Sequence, residues 1–166
     1  MVEDENPTVA VAGEAETVRE VRDVLSDEDL GVETVEPDDL LSSDAGPDCV
    51  ITDDGAVLRR IGESDTDLPA VVVSDGSADV QDAVEFGAME YVELPLSDAD
   101  RTMLRRRVGR YAEATHRRAK HAERKQGLRE AKRMYKAFVD DPNILVGVLD
   151  TDGTLIYPNP KSLEYV

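Results

Sequence analysis

Five short apolar runs recur along the first hundred residues at nearly even spacing. They are Val9-Ala10-Val11-Ala12, Val32-Glu33-Thr34-Val35, Cys49-Val50-Ile51, Ala70-Val71-Val72-Val73 and Tyr91-Val92, starting 23, 17, 21 and 21 residues apart. The first, third and fourth are apolar without interruption, which suits strands covered on both faces rather than on one. Helical spacing fills the gaps. Val18, Val21, Arg22 and Leu25 follow Glu14 to Thr17, Ala56-Val57-Leu58 leads to Ile61, and Val80, Ala83, Val84 and Gly87 form a further set. Asp39-Leu40-Leu41 is a short candidate for the remaining helix. Parallel strands need crossovers of about this length, so the pattern predicts an α/β domain on a five-stranded, doubly wound parallel sheet.

Such a sheet presents its functional crevice beyond the carboxyl ends of the strands. The residues expected there are Gly13-Glu14, Thr52-Asp53-Asp54, Ser74-Asp75-Gly76 and the stretch Tyr91-Val92-Glu93-Leu94-Pro95. Acids gather at one edge with a hydroxyl nearby. In this order the stretches resemble the response-regulator receiver domain, a flavodoxin-like fold, over about Thr8 to Tyr111. Pro47-Asp48-Cys49-Val50-Ile51-Thr52-Asp53 is similar to the family's third strand ending in its phosphorylated aspartate. Ser74 stands at its Ser/Thr switch position. Gly87-Ala88-Met89-Glu90-Tyr91-Val92-Glu93-Leu94-Pro95 resembles its Gly-Ala-x-x-Tyr-x-x-Lys-Pro stretch.

The resemblance implies Asp53 as phospho-acceptor, Mg²⁺ held by Glu14 and Asp53, and Ser74 and Tyr91 as switch residues. A carboxylate attacks a phosphoryl group to form an acyl phosphate, and oxygen-bound Mg²⁺ offsets the phosphoryl charge. Two core positions depart from the family pattern. Gly13 stands where the first of two acids is usual, and Leu94 replaces the lysine. Two readings of Asp53 stay open: phosphorylation through Mg²⁺, or a degenerate site in a pseudo-receiver that dimerises and acts through protein contacts. A nucleotide-binding enzyme is set aside, because Gly13-Glu14-Ala15-Glu16 carries neither a phosphate-cradling glycine pattern nor a P-loop lysine. The module is expected not to be an enzyme.

Charge divides the chain. Acids outnumber bases 37 to 19 for a net −18, but residues 1–100 carry −25, residues 101–136 carry +11 and residues 137–166 carry −4. The overall balance argues against nucleic acid or an anionic membrane as partner, and fits a halophilic protein of a high-salt cytoplasm. The acidic N-terminus lacks the parts of a secretion signal, and no apolar run approaches membrane-spanning length. Lone Cys49 excludes an internal disulfide.

Arg101 to Lys136 contains no proline and reads as one long helix, capped at Ser97-Asp98-Ala99-Asp100. Leu104, Val108 and Tyr111 form a stripe able to close the α/β domain. Thr115, Ala119, Ala122 and Gln126 continue it faintly, and Leu128, Ala131, Tyr135 and Phe138 resume it, at spacings of 3 and 4 that suggest a parallel homodimer seam; a solvated linker helix is the alternative. The arginines are expected to pair with the acidic neighbour rather than with nucleic acid, since no reading helix or aromatic platform accompanies them. His116 and His121 read as surface residues.

After Pro142-Asn143, apolar runs at 144–149 and 155–157 flank Asp150-Thr151-Asp152-Gly153-Thr154, a hairpin signal. With Asn159-Pro160 following, this stretch resembles the opening of a PAS sensor domain. The expected organisation is a receiver-like domain at 1–112, a basic linker helix at 113–137 and the N-terminal fragment of a PAS domain at 138–166. The order resembles haloarchaeal receiver–PAS architectures, and that resemblance implies a two-component phosphorelay module whose partner is a histidine kinase or other signalling protein, within a longer chain.

Overall fold

The computed structural model describes residues 6–26, 30–41, 46–76, 80–139, 141, 147–153 and 155–158. They divide into two compact units, 1–118 and 119–166. The first holds strands β1 (Thr8–Ala12), β2 (Gly31–Thr34), β3 (Cys49–Thr52), β4 (Ala70–Ser74) and β5 (Glu90–Glu93). They form one sheet in the order β2-β1-β3-β4-β5, with every pairing parallel. Helices α1 (Ala15–Leu25), α2 (Gly55–Glu63) and α3 (Val80–Glu85) fall between strands, and α4 (Asp98–Val139) follows β5.

Strand pleating explains the two cores, because successive side chains point to opposite faces. Val9, Val11, Cys49, Ile51, Val71 and Val73 meet Val21 and Leu25 of α1 and Leu104, Val108 and Ala112 of α4. Ala10, Val50, Ala70 and Val72 face the other way, against Val57, Leu58 and Ile61 of α2 and Ala83 of α3. Both faces of the central strands are therefore dry, which is why those runs are uninterrupted.

The expected helix at Asp39-Leu40-Leu41 does not form: residues 37–41 are turns. Leu40 still reaches the α2 face of the core, and Arg60 of α2 donates to the Pro37 carbonyl at 2.8 Å and to the Asp38 carboxylate at 3.1 Å. One buried leucine and one arginine tether this crossover, which lacks the second apolar turn a helix would need to cover the sheet. In α3 only Ala83 is buried, while Val80 and Val84 stay exposed.

The α4 start is as expected. Ser97 Oγ accepts the Asp100 amide at 3.2 Å while the Asp100 carboxylate accepts the Ser97 amide at 3.1 Å, a reciprocal capping box. In the second unit, β6 (Gly147–Leu149) and β7 (Leu155–Pro158) pair antiparallel as a hairpin, closed where the Gly153 amide, at φ +78°, donates to the Asp150 carbonyl at 2.9 Å. The Pro142-Asn143 and Asn159-Pro160 signals lie outside the described residues. No helix among the described residues is long and apolar enough to cross a membrane.

Candidate functional site

The β1–β3 register sets Ala12 beside Thr52, so the residues leaving these strands, Gly13-Glu14 and Asp53-Asp54, emerge side by side at the carboxyl edge. They line an open cleft together with Thr17, Glu36, Pro37, Gly55 and Asp75. The acids expected at this edge do converge.

The geometry at Asp53 is specific. Its carboxylate accepts the backbone amide of Glu14 at 3.1 Å to Oδ2 and 3.3 Å to Oδ1. It fills the space a side chain at residue 13 would need, since a Cβ built on Gly13 would lie 2.0 Å from Asp53 Oδ1. Gly13 has φ +156°, a region that L side chains rarely adopt. The missing acid after β1 and the orientation of Asp53 are thus one steric fact. Glu14 meets Asp53 through its backbone, at the N-cap of α1. Asp54 caps α2 by accepting the Ala56 amide at 2.7 Å. The signal was present as an Asp-Gly pair before an apolar helical run.

Ser74 is fully buried at the end of β4, and its Oγ accepts the Gly76 amide at 3.0 Å. Tyr91 is half-buried against the α2–α3 face of the core. The Leu94 amide donates to the Ser74 carbonyl at 2.8 Å, before a cis bond to Pro95, and the Leu94 side chain packs on the core shared with α1 and α4. It brings no positive charge to the edge.

The expected Mg²⁺ ligands, Glu14 and Asp53, both line this cleft. Among the described residues no three His, Cys, Asp or Glu side chains form a group able to hold a metal ion. Asp53, the expected shared ligand, accepts the Glu14 amide with both oxygens and keeps further lone pairs on each.

A second polar cluster escaped the sequence reading. Asp48, at the opposite end of β3 from Asp53, is buried to 8% exposure. Its Oδ2 accepts the Thr8 amide at 2.9 Å and lies 3.1 Å from His116 Nδ1 of α4. His116 is therefore a half-buried partner of a carboxylate and not a surface residue, and its Nε2 is buried without a hydrogen-bond partner among the described residues. Elsewhere on α4, Arg118 pairs with Asp67 at 3.2 Å, while Glu90 pairs with Arg107 and accepts the Tyr111 hydroxyl at 3.0 Å. Burial, and then the Glu90 carboxylate, hold the Tyr111 phenol above its ordinary pKa.

Solved structures that match this fold include response regulators and their receiver domains. A response regulator from Thermotoga maritima superposes with TM-score 0.54 at 22% identity, covering 66% of this chain and 99% of that one. The receiver domain of the Francisella response regulator 1452 gives TM-score 0.55 at 15% identity with the same coverage. The chain has the receiver fold. NtrX from Brucella abortus matches over 87% of this chain at TM-score 0.52 and 22% identity, and the match spans 32% of NtrX. No protein-family model and no curated protein sequence matches the chain.

Proposed function

We propose that this chain is a two-component-type signalling module in which the receiver-like unit acts through protein contacts rather than through a phosphorylated, Mg²⁺-bound Asp53. The observation that carries the reading is the Asp53 carboxylate seated on the Glu14 amide in the void left by Gly13. Leu94 adds to it, because phosphoryl oxygens at this edge would lack the cation that offsets their charge. The unit is not an enzyme in this reading. Its partner is a histidine kinase or another signalling protein, and α4 links it to the hairpin unit, read as the opening of a PAS sensor.

The test is NMR of the ¹⁵N-labelled chain with Mg²⁺ and beryllofluoride, a mimic of the aspartyl phosphate. The expected outcome is no change that distinguishes the native chain from Asp53→Asn. Shifts at Gly13, Glu14, Ser74 and Tyr91 that vanish in Asp53→Asn overturn the proposal and establish Asp53 as a phospho-acceptor. The same shifts appearing only in Leu94→Lys identify the missing cation as the limiting feature.

A further inference from the structure

A cavity of about 260 Å³ lies at the edge of the sheet opposite Asp53, where Pro69 and Met89 lead into β4 and β5. All of its lining belongs to the first unit. Ile61, Leu68, Phe86 and Met89 make it apolar on one side, and Met89 is 52% exposed. The wall between α2 and the end of α3 is a close contact, since a Cβ on Gly62 would lie 2.9 Å from the Phe86 carbonyl oxygen. Most of the polar lining is already spent. Ser64 Oγ and Thr66 Oγ1 pair at 2.5 Å, the Tyr111 hydroxyl donates to Glu90, and Asp67 accepts Arg118 Nη1. Two groups are left, three residues apart on one face of α4. The Thr115 hydroxyl has no partner among the described residues. The Arg118 guanidinium carries five N–H donors and gives one to Asp67. Both can donate, so the cavity asks for an acceptor beside an apolar body.

We propose that this cavity binds a small aromatic carboxylate, with its ring on Leu68, Phe86 and Met89 and its carboxylate on Thr115 and Arg118. A planar guanidinium matches a carboxylate in geometry and charge. Aromatic and thioether side chains favour a ring as neighbour. A cavity of about 150 Å³ holds benzene, so this one takes a ligand of about ten non-hydrogen atoms. The cavity is open and Arg118 is largely exposed, which sets the dissociation constant on the order of 1 mM. A ligand seated here touches α4 together with the ends of α2 and α3, and so favours the docked helix. The site shares no residue with the Asp53 cleft, and its test does not depend on how Asp53 behaves.

Phenylacetate, a carboxylate of that size, is the probe, read by NMR of the ¹⁵N-labelled full chain. Saturable shifts are expected at the amides of Gly62, Leu68, Phe86, Met89 and Arg118. Phenylacetamide, which keeps the shape and lacks the charge, should bind about 3- to 10-fold more weakly, as should phenylacetate to Arg118→Gln, a change at an exposed position. Ala114→Leu, which fills the cavity from α4, should abolish the shifts while amide exchange at Ile51 and Val71 stays native. Silence at the five amides, equal binding of phenylacetamide, or undiminished binding to Arg118→Gln overturns the proposal. Shifts retained in Ala114→Leu place the ligand elsewhere and overturn it too. Tighter binding of a dipeptide ending in phenylalanine overturns the small-ligand assignment in favour of a protein C-terminus.

Discussion

Asp48 offers the most quantitative perturbation. It sits at the N-terminal edge of the sheet with about a tenth of its side chain exposed, and it serves the Thr8 amide and His116. Truncation in Asp48→Ala removes a long contact from the Thr8 hydroxyl at 3.4 Å and the two shorter ones, each worth about 1.5–3 kcal/mol, and strands a part-buried amide and an imidazole. Water reaches part of this edge, so the expected loss is about 2–4 kcal/mol, within the range seen when one partner of a buried pair is deleted. His116→Ala leaves Asp48 with its amide donor and should cost about 1–2 kcal/mol. The double variant should fall short of the sum by about 1–2 kcal/mol, the coupling between groups in direct contact. Amide hydrogen exchange at Ile51 and Val71, buried in the central strands, reads this free energy for the first unit alone. A loss below about 0.5 kcal/mol in Asp48→Ala, or strict additivity with His116→Ala, would refute the reasoning, because such values belong to exposed pairs.

Four further outcomes follow from the same structure. Val72→Asp places an unpaired charge in the α2 face of the core and should unfold the first unit, visible as protease sensitivity of residues 8–93. Gly13→Ala should destabilise by about 1–3 kcal/mol through clash and backbone strain, and by measurably less in an Asp53→Ala background, where the clashing carboxylate is gone; equal losses in urea titrations of both backgrounds would contradict the close approach. Because burial raises the Cys49 thiol from 9.0 to about 12, folding favours its neutral form; that stability is intact below pH 9 and drains as pH rises through 12, and thiol reagents should react only as fast as the unit opens. The excess of 37 acids over 19 bases predicts loss of circular dichroism on dilution from molar salt, and an unchanged spectrum would discount the halophilic reading.

Most of the fold was readable in the sequence because continuous apolar runs, two-fold alternation and an uninterrupted proline-free segment are local signals. The crossover at 37–41 was misread, since Leu40 and Leu41 look helical in isolation and only the sheet shows that one buried leucine and Arg60 suffice. Sequence showed that an acid is missing at Gly13. It could not show that Asp53 would turn into the resulting space, because that depends on the β1–β3 register. His116 was misread for a similar reason: its partner lies 68 residues away, and spacing from His121 says nothing about it.

The same long-range contacts explain what the basic residues of α4 do in the first unit. Arg101 pairs with Glu20 of α1 at 2.7 Å, Arg107 with Glu90 of β5, His116 with Asp48 before β3, and Arg118 with Asp67 before β4. Each joins the helix to a different element of an acid-rich unit. Exposed ion pairs contribute little individually and are screened by salt, so Leu104, Val108 and Ala112 supply most of the attraction of α4 for the sheet. A smooth apolar stripe would tolerate a small roll or slide of the helix. Successive helical residues are set about 100° apart, so a slip of one residue would draw His116 out of its half-buried seat and strand Asp48. The apolar stripe therefore supplies the affinity of α4 for its unit and the acid–base contacts supply its register. Any roll or slide of α4 on its unit must act against Asp48–His116, the least exposed of those contacts.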